Sequence, residues 1–363
     1  MTDRDTSLLR GSEACLAALD FDPAEVEASA FQHPEWLAAW ARTFPDPNGE
    51  RVFLVVVRDR ASGAILLRLP VALEDWSGIR VLRGWDRGTA DYGGAIVTRG
   101  FAPRSDDFER LWRDVAAVLP DHDVLILDKL PERVGDRDNP LLRVGTVEPS
   151  LNTGHWLRLG EAGRPRAIET FDGTMRRSLA RKRRKLTNKG DLVFRFAECA
   201  AAMEAFEALL GWRRDRFAAE NAGRDVAAVE AFWRHVATDG RIGRIAALTL
   251  DGRPLAAGFG TRTGDSFQLL ATGFDPTWKN WSPGLLLLED LVDRAETDGV
   301  RIFDFTIGDE AYKLDFAVED RPLHDLFAPR TVKGFLAAWI RRLQVRRRRR
   351  RRAHGAAGTS TAS

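Results

Sequence analysis

The chain has 363 residues, 44 % of them hydrophobic, enough for two domains with a core each. It contains no apolar run near the roughly 18 residues of a membrane-spanning helix, and its opening MTDRDTSLLRGSEACLAALD lacks a secretory signal pattern. Two distant cysteines, Cys15 and Cys199, and six histidines without ligand spacing argue against a disulfide framework or a zinc site, so a cytoplasmic chain without metal is expected.

The net charge of +2 hides a segregation. Arg176, Arg177, Arg181, Lys182, Arg183, Arg184, Lys185 and Lys189 place +8 in one stretch free of acids. Arg346 to Arg352 add +7, so the other residues together carry about −13. Two such concentrations of positive charge suit polyanionic partners.

Residues 1–30 read as a flexible N-terminal segment with helix character at 13–19. PEWLAAWARTF (34–44) is a helix with Pro34 at its first position. Residues 51–58 and 64–73 are strands about a turn at Gly63, followed by strands at 79–85 and 91–97. In the last of these, Gly93 and Gly94 mark a bulge or close backbone approach. Asp91 and Tyr92 with these glycines could line an acceptor groove or shape a turn. Ser105 caps a helix to 119, with Phe108, Leu111, Val115 and Val118 inward, and VLILD (124–128) is a buried strand. Residues 131–152, rich in Pro, Gly, Asp and Asn, form a connection, and 153–159 is a strand opening the second half. The resulting domains are 31–150, 151–330, and a C-terminal helix and tail over 331–363.

The basic stretch 174–189 is a helix ended by Gly190. Its narrow apolar stripe, Met175, Leu179 and Leu186, leaves a cationic face with three readings. It is a solvated surface, a phosphate clamp, or a nucleic-acid contact. In the clamp, Arg181 and Arg184 hold the nucleotide part of a CoA or a phosphorylated acceptor by their planar forks. No aromatic residue interleaves the run, which disfavours base recognition. A strand (191–199), two helices (201–219, 225–238), a hairpin turning at Asp251 and Gly252, and a strand (266–274) follow.

The loop, helix and strand after residue 274 carry the main candidate site. Leu285, Leu288, Val292 and Ala295 define one apolar helix face, Ser282 is its candidate N-cap, Pro283 suits its first turn and Gly299 its stop. Unpaired amides near Ser282 and Gly284 would receive a phosphate, or only water. Gly284 would allow close approach of a ligand. Asp304, between Phe303 and Phe305, should be buried, where a charge needs a partner. It is either a general base with a raised pKa or a structural carboxylate accepting backbone hydrogen bonds. Asp309 can cap the next turn. Residues 331–342 are a final helix with Val332, Phe335, Leu336, Trp339, Ile340 and Leu343 on its apolar side. Arg346 to Arg352 form a cationic tail, and 353–363 should be disordered. At roughly 1 kcal/mol per basic residue near an anionic bilayer, the tail could touch the inner face of a membrane; a solvated tail is the alternative.

TGFDPTWKNWSPGLLLLEDLV and FDFTIGDEAYKLDF, preceded by RRSLARKRRKL, resemble the C-terminal half of the CelD-like acyltransferases over about residues 171–327. These belong to the GNAT superfamily and are often associated with cellulose or exopolysaccharide biosynthesis. The resemblance implies an α/β fold with a mixed sheet in two tandem GNAT-like halves. It further implies acyl transfer, such as N-acetylation, from acetyl-CoA or another acyl-CoA to an amine or hydroxyl of a small-molecule, sugar or cell-envelope precursor. Asp304 or Glu310 would remove the acceptor proton, and Tyr312 would act as acid toward the leaving thiolate. Asp309 and Lys313, with Arg181 and Arg184, would hold the acceptor. Trp278 and Trp281 would cover the acyl or pantetheine chain, with Ser282, Pro283, Gly284 and Leu285 completing the cofactor site. The loop at 277–284 departs from the superfamily in lacking repeated glycines. Two rivals share the expected fold: a Fem-type transferase using aminoacyl-tRNA, with RNA on the basic helix, and a non-catalytic assembly factor for polysaccharide synthesis.

Overall fold

The first unit, Met1–Thr153 with Pro322–Ser363, begins with β1 (Arg4–Arg10) and α1 (Pro34–Thr43). A computed structural model describes residues 3–359 except 104, 136, 161–164, 199–201, 218–224, 239, 240 and 309; for 105, 198 and 350–359 it gives backbone only. Pro34 takes the first helical position of α1, and the His33 ring caps it by accepting from Glu35 N–H. Next come β2 (Val52–Asp59), β3 (Ile65–Asp75) and β4 (Arg80–Gly84). The run from Val52 to Val57 is buried throughout, as a strand covered on both faces requires. Helix α2 (Ser105–Val118) turns Phe108, Leu111 and Val115 inward and leads to β5 (Val124–Pro131). Strands β1 to β4 pair antiparallel in sequence order; β5 lies parallel to β4. That parallel register covers Val81↔Val124 to Arg83↔Ile126, after which β4 ends and β5 runs on without a neighbour on that side.

Two expectations change here. Of residues 91–97 only the end is strand, within Ile96–Thr98. Tyr92 is buried edge-on against Phe31, and Gly93 N–H donates to Lys129 O. A Cβ on Gly93 would sit 2.3 Å from Asp128 O, so the glycine is there for close backbone approach. The expected connection over 131–152 already contains strand, because β6 (Thr146–Arg158) starts before Pro149. Pro149 occupies an exposed strand position.

The second unit, Gly154–Arg321, contains α3 (Gly173–Thr187), β7 (Leu192–Glu198), α4 (Met203–Arg216) and α5 (Val226–Thr238). These are followed by β8 (Gly243–Leu250), β9 (Arg253–Thr263), β10 (Ser266–Phe274), α6 (Pro283–Thr297) and β11 (Ile302–Ile307). Asp251 and Gly252 turn the β8–β9 hairpin with φ of 49° and 79°, the positive values its two-residue loop needs. Strands β7 to β10 pair antiparallel, and β11 lies parallel to β10 after the α6 crossover. The far side of β11 pairs with the end of β6. The chain closes with β12 (Glu319–Pro329), whose residues from Leu323 on pair antiparallel with β5, and α7 (Val332–Thr359). Each unit thus repeats one plan: antiparallel strands, a helix, a parallel strand, and an antiparallel strand on that strand's outer edge. This is the mixed α/β architecture in two similar halves that the sequence leads one to expect.

Helix α6 buries Leu286, Leu287, Leu288, Leu291, Val292 and Ala295 against the second unit's sheet. The face is wider than the expected stripe, and Leu285 lies at its edge, only half-buried. Helix α7 departs further. It continues as helix to Thr359 where a disordered tail was expected. The expected apolar side faces solvent: Val332, Phe335, Leu336, Trp339 and Ile340 are exposed, while Gly334, Ala338 and Val345 are buried. Among the described residues no helix is long and apolar enough to cross a membrane.

Candidate active site

The site grows from the parting of β10 and β11. Their parallel register ends at Gln268↔Asp304, so Leu269 to Phe274 lose their neighbour on that side. Strand β11 also changes shape there. Between the pairs Trp156↔Asp304 and Gly154↔Ile307, β11 takes three steps against two on β6, so it carries an extra residue. Thr306 absorbs it with a left-handed φ of 57°, a costly conformation for a β-branched residue.

Asp304 holds that bulge. It is buried, and its Oδ1 accepts from Thr306 N–H at 2.7 Å. Thr306 Oγ1 in turn donates to Leu269 O at 3.0 Å, tying β11 back to β10 just beyond their last pair. Of the two uses open to Asp304, the geometry displays the structural one.

The segment after β11 is a 3₁₀ helix, Ala311–Phe316. Its tyrosine reaches across the parting: the Tyr312 hydroxyl faces the side chain of Thr272, on the free stretch of β10. Burial, then the Glu310 carboxylate, push the Tyr312 hydroxyl up to about 12, against the opposing pull of Thr272 and of the positive charges of Arg213 and Arg216. Tyr312 therefore stays protonated at neutral pH and can give a proton away. Glu310 is half-exposed beside it and pairs with Lys313 at 3.0 Å. Lys313, expected at the acceptor, is buried. Its Nζ donates to the carbonyls of Phe305, Ile307 and Gly308 at 3.0, 3.1 and 3.0 Å. Three donors on three carbonyls leave nothing for a second molecule, and the ammonium instead fastens the turn that carries Tyr312. Asp309 lies outside the described residues.

The tip of α6 lies at the end of the same loop as the β10 edge. Ser282 precedes the helix but does not cap it with its side chain. N-cap side chains reach the first amides from extended backbone, whereas Ser282 is left-handed at φ 51°, ψ 49°. Its Oγ accepts from Lys182 Nζ at 2.6 Å, and its carbonyl accepts from the amides of Leu285 and Leu286. Pro283 has no N–H and is buried. Gly284 N–H is therefore the first-turn amide without an acceptor among the described contacts. A Cβ at Gly284 would meet the Phe274 ring at 3.2 Å, so packing alone already favours glycine. The preceding loop, the 3₁₀ helix Pro276–Trp281, satisfies its own amides: Thr277 N–H on Asp275 Oδ1, Trp278 N–H on Asp275 O and Ser282 N–H on Lys279 O. It is not a nest of free N–H groups. Trp278 and Trp281 are half-buried against the core, with ring centroids 6.4 Å apart.

Helix α3 lies against this loop and α6. Asp172 starts it, accepting from Met175 N–H at 2.7 Å. Arg183 is committed to Glu289 and Asp290 of α6, Lys182 to Ser282, and Lys189 lies 5.3 Å from the Trp281 ring centre. Arg181, Arg184 and Lys185 are exposed, with no ionic partner among the described residues. An anion at Gly284 N–H would meet Lys182 first, with these cations on the same helix. The expected cofactor residues form one short segment, 278–285, and the positive charge beside it comes from side chains of α3 and from Lys189 just past it rather than from a glycine-rich loop. Sequence reasoning missed Thr272 and Thr306, whose roles depend on strand register. It counted Lys182 only as one charge among eight.

The first unit shows the same parting between β4 and β5, filled differently. A cavity there is lined by Gln32, Trp85, Tyr92 and four ions: Arg83 on Asp128, and Lys129 on Asp86 at 2.7 Å and on Ala90 O. Burial works against ionising Asp86, yet Lys129 and Arg83 hold its carboxyl below the usual range. These charges neutralise one another rather than await a ligand. Among the described residues no group of three His, Cys, Asp or Glu could hold a metal ion.

Residues 173–314 match the family model of the acetyltransferase (GNAT) domain. No curated protein matches the chain. Among solved structures, FemX is similar with a TM-score of 0.56 and 10 % identity, covering 89 % of this chain and 96 % of its own. The C-terminal domain of a protein named as a lysylphosphatidylglycerol synthetase from Agrobacterium fabrum is similar at 0.50 and 13 %, covering 83 % and 89 %. A protein of unknown function from Bacteroides thetaiotaomicron is similar at 0.51 and 9 %, covering 82 % and 90 %. At these identities the likeness is one of fold. The chain therefore has a mixed α/β fold of two topologically similar halves, and residues 173–314 of the second are similar to the acetyltransferase (GNAT) domain.

Proposed function

We propose that the second unit transfers an acyl group from an acyl-CoA directly to an amine or hydroxyl. The observation that carries this reading is the Tyr312 hydroxyl, held protonated against the stretch of β10 that the parting of the strands sets free. An acyl-CoA supplies an activated thioester. Gly284 N–H, Lys182, Arg181 and Arg184 hold its phosphates, and Trp278 and Trp281 flank its chain. Glu310 takes the proton released as the acceptor's nitrogen or oxygen bonds to the thioester carbonyl carbon. Tyr312 gives its proton to the sulfur as the carbon–sulfur bond breaks. Asp304 positions β11 through Thr306 and does not touch the reacting atoms. Holding both reactants in the cleft contributes much of the rate. The CelD-like motifs favour a sugar or cell-envelope precursor as acceptor.

One observation favours a second reading. The loop before α6 satisfies its own amides, so a single free N–H faces a pyrophosphate, while Arg181, Arg184 and Lys185 remain open to a larger polyanion. An aminoacyl-tRNA donor would fit that distribution. Thermal-shift titration of the full chain with CoA, acetyl-CoA and tRNA separates the readings. A rise with CoA that weakens in an Arg181→Ala/Arg184→Ala variant supports the first. A response to tRNA alone transfers support to the second, and silence with every ligand leaves the assembly-factor reading.

A further inference from the structure

We propose that α7 is an interfacial helix that docks this protein on an anionic lipid bilayer. The proposal is independent of the donor chemistry, because it rests on the first unit. The orientation of α7 is fixed by its narrow side. Thr331 Oγ1 donates to Asp123 Oδ1 at 2.7 Å and accepts from Gly334 N–H at 3.1 Å. A Cβ on Gly334 would lie 1.8 Å from Asp123 O, so the helix approaches the body as closely as backbone allows. Ala338 and Val345 are buried on that side, and Arg342 and Arg346 both bind the buried Glu148 carboxylate, Arg342 Nε at 2.9 Å and Arg346 Nη2 at 2.6 Å.

The opposite side holds the large apolar groups. Val332 is 88 % exposed, Phe335 63 %, Leu336 53 %, Trp339 49 % and Ile340 43 %. They recur at helical spacing, forming one continuous stripe over about three turns. A helix whose only role was to complete the first unit would point these residues inward. Here a glycine and an alanine do the packing and the aromatic residues are held in water. A stripe of this kind marks a partner surface.

The charge identifies the partner. The stripe runs into Arg347, Arg348 and Arg349, exposed and without an ionic partner among the described residues. Aromatic and aliphatic residues continuous with arginines are what the headgroup region of an anionic membrane takes up: the apolar side enters the acyl boundary and the guanidinium groups stay with phosphates. A second copy packed parallel would bring two arginine runs together, and one packed antiparallel would leave both unneutralised. RNA would use the arginines and leave the stripe in water. The bilayer uses both.

Co-sedimentation of the full chain with vesicles of equimolar phosphatidylcholine and phosphatidylglycerol tests this. The chain should partition onto these vesicles and only weakly onto phosphatidylcholine alone. Replacing Arg347, Arg348 and Arg349 together by Gln should lower partitioning by on the order of 100-fold. Phe335→Asp with Trp339→Asp should abolish it, and both variants should keep the wild-type Tm because the side chains are exposed. Absence of binding to the anionic vesicles overturns the proposal. So does binding that Phe335→Asp with Trp339→Asp leaves unchanged, or a dimer in sedimentation velocity that those substitutions dissociate and vesicles do not.

Discussion

Tyr312 and Glu310 are the side chains on which turnover should depend most directly. Tyr312→Phe keeps the ring against Phe316 and removes the proton, so kcat for acyl transfer should fall by roughly 100-fold or more with little change in KM for the acyl-CoA. Loss of the acyl-CoA KM with kcat intact would contradict an acid role. The raised pKa has a definite sign. The fold favours the protonated phenol, so this stabilisation is complete below the ordinary value of 10.0 and disappears as pH rises through about 12. The chain has only two tyrosines, so a Tyr92→Phe variant isolates the titration. The native variant should show almost no tyrosinate absorbance at 295 nm at pH 10, where an ordinary tyrosine is half ionised. Asp304 separates position from chemistry. Asp304→Asn retains an acceptor for Thr306 N–H and should keep activity within about threefold, whereas Glu310→Gln should lose roughly 100-fold. The reverse order would make Asp304 the base. Lys313→Met should unfold the turn: three buried carbonyls lose their donor, at about 1–3 kcal/mol each, and Tm should drop sharply.

At the scale of elements, α3 is a cationic helix in which a few side chains are structural and others are free. Arg183→Ala breaks contacts to Glu289 and Asp290 and should destabilise the second unit by about 1–3 kcal/mol. Arg181→Ala with Arg184→Ala should leave stability within about 0.5 kcal/mol. Those two replacements should instead weaken the affinity for CoA and flatten its salt dependence, read by calorimetry at two ionic strengths. Equal effects of the two variants on stability would deny the division. The tip of α6 follows the same logic. Its dipole favours an anion, but the left-handed Ser282 and the self-contained loop leave one amide for it, so under the proposed function side-chain cations would carry the rest.

At the scale of the whole molecule, two halves share one topology, and the proposed function puts the donor in the second. In the first half Arg83, Asp86, Asp128 and Lys129 occupy the position with mutually paired charges. Hydrogen exchange with acetyl-CoA present should therefore slow amides around residues 176–189 and 275–286 and leave 83–94 unchanged. Protection confined to 83–94 would place the donor in the other half.

The sequence by itself determined most of the strands and helices, because these rest on local periodicity and on punctuation such as Pro34, Asp251 with Gly252, and Gly299; the strand expected at 91–97, the connection expected at 131–152 and the tail expected after Arg346 do not, and were misplaced. It also located the loop, helix and strand that carry the candidate site, because TWKNWSPGLLLL and FDFTIGDEAYKLDF are contiguous signals. What only the tertiary structure decided is which atoms those residues face. Lys313 is turned inward to three carbonyls, Asp304 is used by a bulge whose register belongs to β6 and β11 together, and Tyr312 meets Thr272 forty residues earlier in the chain. The apolar stripe of α7 was legible, but not its direction: periodicity shows that a helix has two sides, and only Gly334 against Asp123 and Glu148 against Arg342 and Arg346 fix which side is buried. Contacts between residues distant in sequence leave no local pattern, so they become visible only when the chain is folded.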